Sequence, residues 1–188
     1  MHWTLADMLL DLVHNSLQAG AEHVQIEMRH DDGETMMLIE DDGKGMDAEQ
    51  RKRALDPFYT EPGKHPGRRV GLGLPFLVQT VSAVGGRYRL ESAPGRGTVL
   101  EIRFDPAHLD CPPLGDLAEA LAAMLTLDGE YELEFHRSVR AGGEGGNGTA
   151  YRISRSELRN ALGELESVQS QSLLRDYLHS QEAEPASA

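Results

Sequence analysis

Cysteine, basic charge and long apolar runs are all scarce in this chain of 188 residues. The sole cysteine, Cys111, has no internal partner for a disulfide. The first residues, Met1-His2-Trp3-Thr4, carry neither a basic cluster nor a small-residue cleavage site. Together these absences lead us to expect a reducing compartment, the cytoplasm. No uninterrupted apolar stretch approaches the roughly 20 residues that a helix needs to cross a bilayer, which argues against membrane insertion. Lys and Arg number 18 against 31 Asp and Glu, for a net charge of −13. The deficit is uneven: residues 1–104 hold 12 basic and 16 acidic side chains, residues 105–188 hold 6 and 15. An acidic surface repels phosphate backbones and anionic lipid, so neither nucleic acid nor membrane is expected as the main partner.

What is present is local punctuation. Thr4 and Asp7 form a capping-box pair ahead of Leu5, Met8, Leu9, Leu12 and Val13 at helical spacing, which predicts a first helix closing near Gly20. Val24, Ile26 and Met28 alternate with polar neighbours, a turn follows, and residues 36–40 continue, so a hairpin is expected that delivers Asp41 at the end of its second strand. Asp47 with Gln50 caps a short helix, Pro57-Phe58 breaks it, and residues 60–69 form a polar loop. Residues 74–84 read as a second long helix, followed by two strands around Pro94-Gly95-Arg96-Gly97. Beyond Phe104 the pattern predicts an acidic α-β-β-α extension over 105–181, with a glycine-rich loop at 142–148, a helix opened by Ser154 and Glu157, another beginning near Ser170, and a frayed tail at 182–188. The sum is an α+β sandwich: a mixed sheet with helices on one face over residues 1–104, plus the small extension.

Four short motifs follow one another through the first hundred residues. Asp11 and Asn15 stand one turn apart on one helix face. Such a pair suits a division of labour, with a hard carbonyl oxygen for magnesium from Asn15 and a carboxylate on Asp11 that accepts a proton from water; taken alone, it is equally a solvated polar face. Asp41-Asp42-Gly43-Lys44-Gly45-Met46 ends a strand with residues that let backbone approach a flat ligand while Asp41 accepts from an exocyclic amine, although a plain turn also explains the glycines. Gly71-Leu72-Gly73-Leu74 opens a helix with N–H groups on which phosphates can dock, with Arg69 just before it. Gly95-Arg96-Gly97-Thr98 is the last.

In that order the motifs resemble the GHKL superfamily, the Bergerat-fold ATP-binding domain of sensor histidine kinases, anti-sigma serine kinases, type II topoisomerases, mismatch-repair ATPases and a class of heat-shock chaperones. Residues 11–21 resemble the N box, 41–45 the first glycine box, 56–60 with Phe58 and Thr60 the phenylalanine box, 71–74 the second glycine box and 95–98 the third. The resemblance implies ATP and Mg2+ as cofactors, Asn15 as magnesium ligand, Asp41 on the adenine amine, Thr98 supporting that contact, and residues 60–70 as a lid. Asp11 stands where hydrolysing members carry glutamate. An N box at the very start and Pro112-Pro113-Leu114-Gly115-Asp116 after the core look most like the short freestanding bacterial members, and the phenylalanine box and short lid most like the kinase branch.

The function expected is therefore a magnesium-dependent ATPase or ATP-driven switch regulated by a protein partner in bacterial signalling. The alternatives are a kinase passing the γ-phosphate to a serine or histidine of another protein, and a nucleotide-binding module without chemistry. His179 is the one histidine considered as an internal phosphoacceptor. Topoisomerase-like chemistry takes a lysine from a following domain, and Lys44, Lys52 and Lys64 all precede residue 71. Oligomeric state stays open.

Overall fold

The computed structural model describes residues 4–31, 33–56, 73–140 and 148–183. Helix α1 (Leu5–Gln18) starts at Thr4, whose hydroxyl accepts the N–H of Asp7 while the Asp7 carboxylate accepts that of Thr4. This capping box is worth about 1 kcal/mol. The N–H groups of Leu5 and Ala6, which no helical turn can satisfy, are taken by the carbonyls of Pro113 and Leu114 at 3.0 and 2.9 Å. The segment after the expected boundary at 104 thus returns to the start of the chain.

Strands β1 (His23–Asp31) and β2 (Glu34–Asp41) form the hairpin read from the sequence. Helix α2 (Ala48–Ala54) carries the Asp47–Gln50 capping box. Helix α3 (Gly73–Ala83) leads to β3 (Arg87–Ser92) and β4 (Thr98–Phe104), and β4 lies antiparallel beside β2. Helix α4 (Leu117–Leu125), capped by Asp116, then precedes β5 (Glu132–Arg140) and β6 (Gly148–Ser154), with α5 (Arg155–Leu162) and α6 (Val168–Ala183) last. The sheet order is β3-β4-β2-β1-β5-β6, with β5 parallel to β1 and the other pairs antiparallel. Residues 105–183 therefore extend the first sheet by two strands. Crossing from β4 at one side to β5 beyond β1 requires a long connection, and α4 supplies it.

Period-two alternation sorts the sheet into two faces. Val24, Ile26, Met28, Met37, Ile39, Leu100, Ile102, Leu133 and Phe135 point to the helices and are buried, meeting Leu9 and Val13 of α1, Leu121 and Leu125 of α4, and Leu174 of α6 in one core. The opposite face carries Arg29, Glu27, Arg87, Glu34, Arg103 and Glu101 in surface ion pairs. The fold is a two-layer α+β sandwich, as the alternation and helical spacing predict. Because the core is continuous, Leu133→Ala is expected to cost about 2–5 kcal/mol and to lower a single, shared melting transition monitored by circular dichroism, although Leu133 lies beyond the first hundred residues.

Two boundaries differ from the sequence reading. Helix α6 begins at Val168 rather than near Ser170, because the Ser167 hydroxyl caps it by accepting the Ser170 N–H at 3.2 Å. At its other end α6 includes Glu182 and Ala183, residues expected in the tail. Glu182 accepts a hydrogen bond from the Tyr151 hydroxyl and pairs with Arg137 at 3.2 Å, and both partners lie on strands. Burial and the Glu182 carboxylate push the Tyr151 hydroxyl well above its ordinary range, so it remains the donor. The glycine-rich loop lies outside the described residues except for Gly148, the first residue of β6.

Candidate functional site

Three elements meet around the residues singled out from the sequence: α1, the end of β2 with the loop after it, and the start of α3. Asp41, the last residue of β2, accepts the Ser16 hydroxyl on Oδ2 at 2.8 Å and the Gly43 N–H on Oδ1 at 3.0 Å. Each oxygen thus holds one protein donor and keeps acceptor capacity for another. Thr98 is the cross-strand partner of Asp41 at the start of β4.

The loops that carry the glycines are stitched backbone to backbone. The Lys44 N–H reaches the Ala19 carbonyl at the end of α1 (3.0 Å), and the Gly95 N–H reaches the Lys44 carbonyl (2.8 Å). Gly45, at φ +66°, passes so near the third glycine motif that a Cβ there would sit 1.9 Å from the Ala93 carbonyl oxygen. A Cβ on Gly97 would sit 1.8 Å from the Asp41 carbonyl oxygen. These two glycines are explained by mutual packing of the loops. Beside them the Met46 N–H donates to Ser92 Oγ at 2.8 Å, and that hydroxyl donates to the Gly97 carbonyl at 2.7 Å. Ser92 has one proton, so the Thr98 hydroxyl, 3.1 Å away, is the donor in their contact.

On α1, Asn15 Nδ2 donates to Asp11 Oδ2 at 3.2 Å, and the Gly73 N–H at the start of α3 donates to the same oxygen at 2.9 Å. A Cβ on Gly73 would lie 2.2 Å from it, so a side chain there would displace the Asp11 carboxylate. The second glycine motif is expected to turn its N–H groups to phosphate; in the structure the Gly73 N–H donates to Asp11. Leu74 follows as the second residue of α3 and packs against the core. Phe58, Thr60, Arg69, Gly71, Leu72 and the expected lid lie outside the described residues.

Two contributors escaped the sequence reading. Ser16 continues the stripe of Leu5, Leu9, Leu12 and Val13 toward the core and is itself buried; a polar residue on that stripe was the available signal. Ser92 gave none, because its role depends on a turn that brings the first and third glycine motifs together. Asp42 points elsewhere: its Oδ1 accepts the N–H groups of Glu22 and His23 at 2.8 and 2.9 Å, tying the first glycine motif to the start of β1. The His23 N–H, followed by that of Glu22 against some desolvation, holds this carboxyl below the usual carboxylate range. A lowered folded-state pKa stabilises the fold above the unfolded value and loses that contribution as pH falls through the folded one. Asp42→Asn is therefore expected to lower the melting temperature at pH 7 and to approach the unsubstituted chain as pH falls through the lowered folded-state value; a constant gap across a pH series would contradict the assignment.

A cleft of about 310 Å³ touches Asp41 from the other side, lined by Glu40, Asp42, Glu132 and Glu134 with His23 and Arg96. Its acidic lining opposes phosphate, which favours the helix side of Asp41 for a nucleotide. His179 lies on the exposed face of α6, 3.7 Å from Glu119.

The donor set fits a magnesium–nucleotide complex: an anchored carboxylate with spare acceptor capacity at one side, and at the other an asparagine whose Nδ2 is occupied by Asp11, so that its carbonyl oxygen is the group left for a hard cation. Residues 3–108, more than half of the chain, match the histidine kinase-, DNA gyrase B- and HSP90-like ATPase family. The chain belongs to this family. Among curated relatives, the family region is 28% identical over 103 residues to the signal transduction histidine-protein kinase AfsQ2 of Streptomyces coelicolor, 53% of this chain and 19% of that protein. It is 29% identical over 100 residues to the two-component sensor PhoQ of Pseudomonas aeruginosa (53% and 22%) and 32% identical over 101 residues to the histidine kinase AtoS of Escherichia coli (52% and 16%). The chain thus spans less than a quarter of the length of these relatives. Among solved structures, the mycobacterial sensor histidine kinase MprB aligns over 52% of this chain and 69% of its own at 23% identity and TM-score 0.40. The N-terminal domain of a DNA repair protein aligns over 89% of this chain and 58% of its own at 15% identity and TM-score 0.55. That second likeness takes in residues well beyond the family region, and so shares the fold of the longer sheet.

Proposed function

We propose that this chain binds magnesium–ATP between α1, the end of β2 and the start of α3, and works in the cytoplasm as a partner-regulated ATPase or switch in bacterial signalling. The observation that carries the reading is Asp41, held from two sides by Ser16 and Gly43 and still able to accept the amine of adenine. Guanine carries a carbonyl at the corresponding position and would set acceptor against acceptor, so the same carboxylate selects adenine. Asn15 would offer its carbonyl oxygen to magnesium, which when bound offsets the charge of the outer phosphates. Asp11 would be the group that accepts a proton from an attacking water. It would do so through Oδ1, on which no hydrogen bond falls among the described residues. Met46, Phe58, Thr60, Arg69, Gly71, Leu72, Leu74 and Thr98 are proposed to complete the nucleotide's surroundings on the strength of the family motifs.

The second reading is a protein kinase, favoured by the relatives, all three of which are sensors or kinases of signalling systems. Incubation with γ-labelled ATP, alone and with cell extract, separates the two. Free labelled phosphate without labelled protein is the result expected of the ATPase. Label on a second protein would replace it with the kinase, and tight binding with neither product would leave a nucleotide-binding module.

A further inference from the structure

One carboxylate oxygen, Asp11 Oδ2, lies between Asn15 Nδ2 at 3.2 Å and the Gly73 N–H at 2.9 Å. Resting on the magnesium–ATP reading above, we infer that Asp11 is a positioning residue for the metal side of the pocket, fixing which end of the Asn15 amide faces the phosphates and tying Gly73 to α1.

The argument is one of amide symmetry. The terminal torsion of asparagine has two broad wells related by a half turn, which exchange the carbonyl oxygen with the NH2 group. A metal ligand must present the oxygen, and the NH2 group presented instead would oppose a cation. An anionic acceptor one helical turn earlier draws Nδ2 to itself and so turns Oδ1 the other way, as outer-shell carboxylates orient histidine ligands in metal sites. The same oxygen takes the N–H of Gly73 at 2.9 Å. A Cβ on Gly73 would lie 2.2 Å from Asp11 Oδ2, so any larger residue would push the carboxylate off this N–H. Asp11 thereby couples the position of the Asn15 ligand on α1 to Gly73 of the second glycine motif. The role uses Oδ2 as an acceptor and needs no proton transfer, so it is separable from any action of Asp11 on water.

That separation sets the test. Asn at position 11 keeps an oxygen acceptor but cannot take up a proton; Ala keeps neither. Calorimetric affinities for ATP and ADP, with magnesium and with chelator, are measured for the unsubstituted chain, Asp11→Asn and Asp11→Ala. Asp11→Ala is expected to lose about 10-fold or more of the magnesium-dependent preference for ATP over ADP, whereas Asp11→Asn keeps it within about 3-fold even if turnover is gone. Equal preference in all three proteins would overturn the inference while leaving ATP binding intact, and no ATP binding by the unsubstituted chain would overturn the functional reading itself. Should Asp11→Ala fail to fold, amide exchange in the ligand-free unsubstituted protein decides: Gly73 N–H protected from deuterium supports the contact, and exchange at the rate of an open chain contradicts it.

Discussion

Asp41→Asn is expected to weaken ATP binding by at least about 100-fold, the largest loss for any single side chain in the pocket. The carboxylate accepts from Ser16 on one oxygen and from the Gly43 N–H on the other. An asparagine must put its NH2 group in place of one of them. If the oxygen stays with the Gly43 N–H, the NH2 group faces the adenine amine, donor to donor, and the Ser16 hydroxyl must turn its proton elsewhere. A hydrogen bond to a charged acceptor contributes about 1.5–3 kcal/mol, and leaving a buried donor unmatched costs a similar amount. The measurement is titration calorimetry on a variant whose circular dichroism and melting temperature stay close to those of the unsubstituted protein. Retention of affinity within about 3-fold would remove Asp41 from the adenine contact, since about 0.6 kcal/mol is too little for a charge-assisted bond.

Gly97→Ala should be far more damaging than Gly95→Ala, two residues away in the same turn. Both glycines sit at φ +71°, so the intrinsic backbone cost of about 1–2 kcal/mol is shared. They differ in surroundings: nothing lies within 4 Å of a Cβ on Gly95, whereas one on Gly97 overlaps the Asp41 carbonyl at 1.8 Å. Backbone cannot yield there without opening the β2–β4 pairing, in which Asp41 faces Thr98. The expected cost for Gly97→Ala is no less than about 4 kcal/mol by denaturant unfolding, and ATP affinity falls with it because the displaced residue is Asp41. Similar unfolding free energies for the two variants would mean that the loops do not pack as described.

The contrast between those glycines also marks what the sequence could disclose. Signals carried by a few neighbouring residues were legible: the capping boxes at Thr4 and Asp47, the alternation of β1 and β2, and the order of the motifs from Asp11 to Thr98. They are legible because a cap or a period is complete within one turn or one strand. Contacts closed by distant chain were not. Whether Gly73 serves phosphate or the Asp11 carboxylate depends on a partner 62 residues away. The parallel pairing of β5 with β1 is equally silent, because an apolar alternation such as Leu133 and Phe135 names a buried face and never the neighbouring strand. Ser16 lay between these cases, visible as a polar intrusion on an apolar stripe but without a stated partner until β2 is placed beside α1.

Titration of the folded chain with ATP, first with magnesium and then with chelator, tests the central claim most directly. The account predicts saturable heat from one site with a dissociation constant at or below about 1 mM in magnesium, falling toward the affinity for ADP when the metal is removed. No heat with magnesium and ATP at millimolar concentration, from protein whose melting transition shows it to be folded, would contradict it.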